Sequence, residues 1–269
     1  MMTDEWTTVT TKEKKRTSKG RTRSSNKLHL TSRLVTPLTI EWTDDSKQAI
    51  VGQINNYKVM LKETDFFQSL VEIFDKATIS PQQMVCYGIG NFARPRSGPL
   101  WQLACALNLW DMIHSVRSEA VELFYFDPCT SPMEISILKD FGIQLIEVNE
   151  RGKRNIHSTP TLFFMPHCPM PLYFNVLLEN WENMDKLQIF GNSLCRYAQG
   201  MRVKIPQGIS LLLPLMKEES TLCSKGDVRD MEGEFDHAFN DCFVSTIQCS
   251  EELPEKPEDD VQIDDKETL

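Results

Sequence analysis

Three places in the sequence bring together residue types that could do chemistry. The first is Met84 to Ala93, MVCYGIGNFA, where Gly88 and Gly90 follow an apolar run and free the backbone to turn sharply against a ligand. With Asn91 beside them and Ala93 in the place of a third glycine, the turn approximates a dinucleotide-binding fingerprint. Asp127, after the next apolar run, could accept hydrogen bonds from ribose hydroxyls, as in Rossmann and methyltransferase folds. That chemistry is nucleotide or S-adenosylmethionine binding. The alternative is a structural tight turn: Asp127 lies 39 positions beyond Gly88 rather than about 20, and Pro95 and Gly98 delay the helix that would receive a pyrophosphate.

The second place is the polar loop Asn149 to Ser158, NERGKRNIHS. Lys153 and Arg154 could pair with phosphate or carboxylate, and Glu150 could anchor them or act as a base, with Asn149 beside it. An ordinary solvated loop is the competing reading. The third place is His167 next to Cys168, bounded by Pro166 and Pro169. A thiolate could form if an imidazolium lies close, although adjacent side chains often point apart. Cys168-Pro169 also has the form of a heme-regulatory dipeptide, and the proline could equally serve to end a strand. Neither His167 nor Cys168 has nearby partners at zinc-ligand spacing, so no metal site is expected.

These residues need elements to hold them, and the chain supplies a β-then-α alternation. Thr43 ahead of Asp44 and Asp45 reads as a helix N-cap, followed by Ile50, Ile54, Tyr57 and Leu61 at helical spacing. A second amphipathic helix follows Thr64 and ends before Pro81. Strands are expected from about Met84, over Ala120–Phe126, Ile143–Val148, Thr161–Met165 and Leu187–Phe190. Between them lie an apolar helix from Leu100 to Ile113, a helix opened by the capping box Ser131-Pro132-Met133-Glu134, and a helix from Leu172 to Trp181. Such an alternation implies a three-layer, Rossmann-like α/β domain on a mostly parallel five-stranded sheet with right-handed crossovers. Ligands then bind at the carboxyl edge of the strands, which is where Gly90, Asp127, Glu150 and His167 should converge. Beyond Asn192 the pattern weakens to a Pro214-interrupted helix at Leu211–Met216 and a packed segment at Phe235–Ile247.

The chain has 269 residues, 41% of them hydrophobic, with all five tryptophans inside residues 1 to 181, which suits one sizeable core. Its net charge of −9 hides an opposition. Residues 1–38 carry nine Lys or Arg against three acids, and residues 251–269 carry nine acids against two Lys. The expected organisation is a disordered basic arm at 1–38, an α/β domain at 39–250 and a disordered acidic tail at 251–269. The arm could enter the nucleus, touch nucleic acid or merely solubilise. The eight cysteines show no zinc-finger or redox spacing and no secretory signal precedes them, so reduced thiols in the cytoplasm or nucleus are expected. No apolar run approaches the ~20 residues that span a membrane, so no membrane partner is expected.

Taken in order, CYGIGNFA, FYFDP, VNERGKR, TLFFMPHCP, NW and FGNS resemble the "sensitivity to red light reduced" (SRR-like) family, from about Leu38 to Ile247. Its glycine turn, its Asp-Pro and its Asn-Glu and Gly-Lys-Arg loop fall on Gly88, Gly90, Asp127, Pro128, Asn149, Glu150, Gly152, Lys153 and Arg154. Its histidine falls on His167 and its late Phe-Asn-Asp on Phe239 to Asp241, while Cys242 to Ser245 depart from the family's aromatic, histidine-containing ending. The resemblance implies an intracellular regulator rather than a characterised enzyme. It implies links to light and circadian-clock input in plants, to clock-gene expression and heme biosynthesis in animals, and to microtubule phenotypes in yeast. The resulting expectation is a regulator acting through protein partners, with a small anionic ligand at the carboxyl edge. The competing expectation is a methyltransferase-like or nucleotide-dependent enzyme built on Gly88, Gly90 and Asp127.

Overall fold

A computed structural model describes residues 43–94, 97–117, 120–200, 207–220, 233–247 and 253–256. The basic arm, most of the acidic tail and the expected domain boundaries lie outside these residues. Helix α1 (Asp44–Lys62) starts where Thr43 accepts a hydrogen bond from the Ser46 amide, and α2 (Asp65–Lys76) where Thr64 does the same for Phe67. Each cap satisfies an amide that has no partner inside its helix. Strand β1 (Gln83–Tyr87) leads through the glycine turn to α3 (Gly98–Ser115), whose Pro99 suits the first turn because it has no amide hydrogen to satisfy. Then follow β2 (Glu122–Phe126), α4 (Pro132–Asp140) with the Ser131–Glu134 capping box in place, and β3, only Gln144–Leu145. Strand β4 (Thr161–Met165), α5 (Met170–Glu179), a 3-10 stretch (Trp181–Lys186) and β5 (Leu187–Asn192) come next.

Among the described residues the sheet has seven strands, not five, in the order β3-β2-β1-β4-β5-β7-β6. The first five pair parallel, with Tyr87 opposite Phe126, Cys86 opposite Phe164 and Met165 opposite Gly191. The expected reading of the last third needs correction. After α6 (Leu194–Gly200), α7 (Gln207–Leu212) and a 3-10 turn through Pro214, the chain enters β6 (Met216–Ser220). The packed segment divides into α8 (Glu234–Phe239) and β7 (Cys242–Ile247), and β7 inserts antiparallel between β5 and β6. Strand β6, MKEES, carries almost no apolar residue because it is an edge strand, where charge discourages pairing with other chains. Only its neighbour makes it a strand.

Alternation along the strands gives each face its own core. Met84, Cys86, Leu123, Tyr125, Phe164, Phe190 and Val244 pack with α1–α4 and α8, while Val85, Tyr87, Phe163, Met165, Leu187 and Ile189 pack with α5, Trp181 and Ile209. On the second face the Tyr173 hydroxyl donates to the Met165 carbonyl and accepts from the Asn192 amide at 3.0 Å. This hydroxyl presses against Gly191, where a side chain would overlap it. Leu253 packs on the same face and the Trp181 indole donates to the Pro254 carbonyl at 2.9 Å.

Two glycine substitutions should therefore move stability in opposite directions. Gly191→Ala loses about 1–3 kcal/mol through overpacking against Tyr173, whereas Gly52→Ala, on the exposed side of α1 with open space around it, gains about 0.5–1 kcal/mol of helix propensity. Urea unfolding midpoints measure both, and a neutral Gly191→Ala would contradict the packing described.

Candidate functional site

The register that sets Tyr87 beside Phe126 also sets Gly88 beside Asp127, so the glycine turn and the acid after β2 meet at the carboxyl edge. Gly88 and Gly90 take φ values of 65° and 85°, where an L side chain is strained. The Gly88 amide donates to the Phe126 carbonyl at 3.1 Å. The Gly90 amide donates to Asp127 Oδ2 at 2.7 Å, and Oδ1 accepts from the Cys129 amide at 2.7 Å. Glu134, fully buried, accepts from the Ala93 amide with Oε1 and from the Ser131 amide with Oε2, at 2.8 and 2.7 Å. Three amides that would cradle a phosphate are thus already bonded within the protein, two of them to its own carboxylates. Asp127 acts first as the clamp on the turn, although each carboxylate oxygen can accept a further hydrogen bond. Asn91, half-buried in the turn, has a side-chain oxygen with no donor.

The loop after β3 closes on the same edge from the other face of the sheet. The Tyr87 hydroxyl donates to Glu150 Oε2 at 3.0 Å, and Arg154 Nη1 donates to Oε1 and Oε2 at 2.9 and 3.2 Å. The Arg154 guanidinium lies 4.2 Å over the Phe124 ring. Burial first, and then the charge of Glu150, push the Tyr87 phenol well above its usual range, so it stays a donor. Glu150 and Arg154 are committed to each other and to the strand ends, which leaves little of the free base or free anion binder that their types suggest. The backbone is held just as closely. Arg151 and Gly152 both have positive φ, Asn175 donates to the Arg151 carbonyl at 2.7 Å, and a Cβ on Gly152 would sit 2.8 Å from the Leu172 carbonyl oxygen. Lys153 and Asn149 are exposed on this loop.

His167 and Cys168 point apart. His167 is exposed with φ 58°, its amide donates to Asn192 Oδ1 at 2.6 Å, and its Nδ1 lies 3.4 Å from Asn192 Nδ2. Cys168 is buried and its thiol donates to the Tyr87 carbonyl at 3.3 Å. Burial pushes that thiol well above its usual range, which favours the protonated form that donates to Tyr87. Gly90, Asp127, Glu150 and Cys168 are therefore tied to the carboxyl ends of β1 and β2, and His167 to the end of β5. Asn192, the last residue of β5, is the residue that places His167. Asp241, with φ 56°, joins it by offering its carbonyl to Asn192 Nδ2 at 3.5 Å while its carboxylate meets Arg196 at 2.5 Å. Glu134 was visible as a capping residue, but nothing local signals its second bond to Ala93. Among the described residues no group of three or more His, Cys, Asp or Glu is arranged to hold a metal, and no helix is long and apolar enough to cross a membrane.

Two outcomes test this arrangement. Asp127→Ala should cost about 1.5–3 kcal/mol, the range for bonds to a charged acceptor, and speed hydrogen exchange at the Gly90 and Cys129 amides; unchanged exchange would remove the clamp. In the folded chain at pH 8, iodoacetamide should modify the exposed Cys129 long before the buried Cys168 or Cys86, as read by peptide mass spectrometry; early labelling of Cys168 would contradict its placement.

A mouse SRR1-like protein is 34% identical over 133 residues, covering 49% of this chain and 52% of its own length. The Arabidopsis thaliana Protein SENSITIVITY TO RED LIGHT REDUCED 1 is 34% identical over 172 residues, 58% of this chain and 60% of its own. A Drosophila melanogaster SRR1-like protein is 26% identical over 160 residues, 57% and 55%. The chain thus spans between about half and three fifths of the length of these relatives. No solved structure gives a significant match. The SRR1 domain model matches residues 53–246, from α1 to the end of β7 and so across the whole sheet with its rim, and the chain belongs to that family.

Proposed function

We propose that this chain is a regulatory protein of its family, acting in light- or clock-linked expression and in control of heme biosynthesis through protein partners, in the cytoplasm and nucleus. Its carboxyl edge binds a small, hydroxyl-bearing anion of nucleotide type. The observation that supports the ligand is that the glycine turn follows β1 and His167 follows β4, parallel neighbours at the point where the strand order reverses, so both stand at the carboxyl edge. Asn91 Oδ1 and the spare acceptor capacity of Asp127 call for donors such as ribose hydroxyls. Since the turn's own amides are already bonded, the anionic end is met by Arg94, Lys153 and His167, all exposed. The light-linked part of the reading rests on the name of the Arabidopsis relative. The exposed side of the Asn149–Arg154 loop is the surface for protein partners.

A second reading, a methyltransferase-like transferase, is favoured by one specific feature. A last strand inserted antiparallel between the fifth and sixth, in the order 3-2-1-4-5-7-6, is also the order of S-adenosylmethionine-dependent methyltransferases. This is analogy at the level of fold, which fixes no reaction. Calorimetry of the full chain with ATP, NAD and S-adenosylmethionine separates the two. Saturable binding of ATP or NAD, abolished by Gly90→Arg and weakened about tenfold by Lys153→Glu, supports the first reading; selective binding of S-adenosylmethionine supports the second. Failure of all three to bind sinks the nucleotide-type ligand and the transferase alike.

A further inference from the structure

Three segments distant in sequence meet on the side chain of Asn192, buried at the end of β5. Its Oδ1 accepts from the His167 amide at 2.6 Å, while its Nδ2 faces His167 Nδ1 at 3.4 Å and the Asp241 carbonyl at 3.5 Å. The Tyr173 hydroxyl, 3.5 Å from Oδ1, does not compete for that oxygen, because its hydrogen goes to the Met165 carbonyl.

This arrangement decides where the histidine proton sits. A backbone N–H can only donate, so the Asn192 atom that faces the His167 amide is the oxygen, and the NH2 group is turned to the ring and to Asp241. An NH2 group has hydrogens to give and none to take, so the ring nitrogen opposite it offers a lone pair. Nδ1 of the neutral imidazole is therefore bare, and the proton is on Nε2. Ring geometry aims Nε2 away from Asn192. Among the described residues no hydrogen-bond partner meets Nε2, and His167 is exposed. Both His167 and Asp241 hold left-handed φ values, 58° and 56°. Non-glycine residues keep that conformation only where their surroundings enforce it, commonly beside a binding site.

We propose that Asn192 is a positioning residue that locks His167 as the Nε2–H tautomer, and that this N–H donates to a phosphoryl oxygen of the anion bound at the rim. The proposal rests on the reading of the carboxyl edge as an anion site and adds which atom meets the anion and what holds it. His167 then binds as an oriented neutral donor, with Arg94 and Lys153 supplying the positive charge.

The test begins on the free full chain with labelled histidine, at pH 8, above the ordinary titration range of imidazole. Long-range nitrogen–proton NMR should show the Nε2–H form for His167, the set of signals missing from His167→Gln; an Nδ1–H form would overturn the proposal. Pyrophosphate is the probe, and it should shift the His167 ring saturably. Leu and Gln are close in size, and only Gln carries an N–H near the Nε2 position. His167→Leu should therefore weaken pyrophosphate binding about tenfold, and His167→Gln about threefold at most. Asn192→Asp, which puts an acceptor opposite Nδ1, should turn the ring to the Nδ1–H form and weaken the probe about tenfold. If that variant fails to fold, the free-chain tautomer and the Gln–Leu comparison decide alone. A ring that does not respond to pyrophosphate, or equal binding by the Leu and Gln variants, would overturn the proposal. Pyrophosphate binding through His167 while ATP and NAD fail to bind would leave it standing and remove the nucleotide reading. ATP or NAD binding that His167→Leu leaves unchanged would do the reverse.

Discussion

The bond from the Gly90 amide to the Asp127 carboxylate is the constraint on which the rim depends. A glycine turn has many accessible conformations and costs entropy to fix. Here a buried carboxylate holds it from the end of the neighbouring strand, and the same carboxylate closes the next turn through Cys129. Glu134 repeats the device on the far side of the turn, joining the start of α4 to Ala93. Because both acids are carried by elements next to β1, the geometry of the turn is set by the parallel register of β1 and β2 and not by its own sequence.

This has a chemical consequence. In a dinucleotide-binding fold the negative charge at such a turn arrives with the ligand. In this protein two negative charges are already built in, so the turn is better suited to offering acceptors than to cradling a phosphate. The rim's cationic character comes instead from the loop after β3 and from Arg94. On the loop, Arg154 is held over Phe124 and bonded to Glu150, and Lys153 stays exposed beyond them.

Strand β1 links the two cores because its residues alternate between them, Met84 and Cys86 on one face, Val85 and Tyr87 on the other. Tyr87 passes this alternation on to the rim: its hydroxyl orders Glu150 and its carbonyl accepts the Cys168 thiol. Tyr173 does the same for the β4 and β5 ends, through Met165 and Asn192, and the glycine at 191 leaves it room. The polar contacts at the ends of β1, β4 and β5 are thereby backed by aromatic side chains anchored in the core.

The sequence alone determined what is decided within a few residues. The caps at Thr43, Thr64 and Ser131 and the helices they open rest on contacts between close neighbours along the chain, the runs that become β1, β2, β4 and β5 show in their own apolar composition, and Gly88 and Gly90 mark where the backbone is free to turn. The string of family motifs was legible for the same reason. Only the tertiary structure decided that Asp127 and Glu134 clamp the turn, that Glu150 is taken by Tyr87 and Arg154, that His167 and Cys168 face apart, and that β7 and β6 extend the sheet antiparallel. The partners involved lie 37, 41 and 63 positions apart for Gly90–Asp127, Ala93–Glu134 and Tyr87–Glu150. A side chain's type states what bonds it can make, but which bond it makes depends on what the register of a distant strand brings within 3 Å.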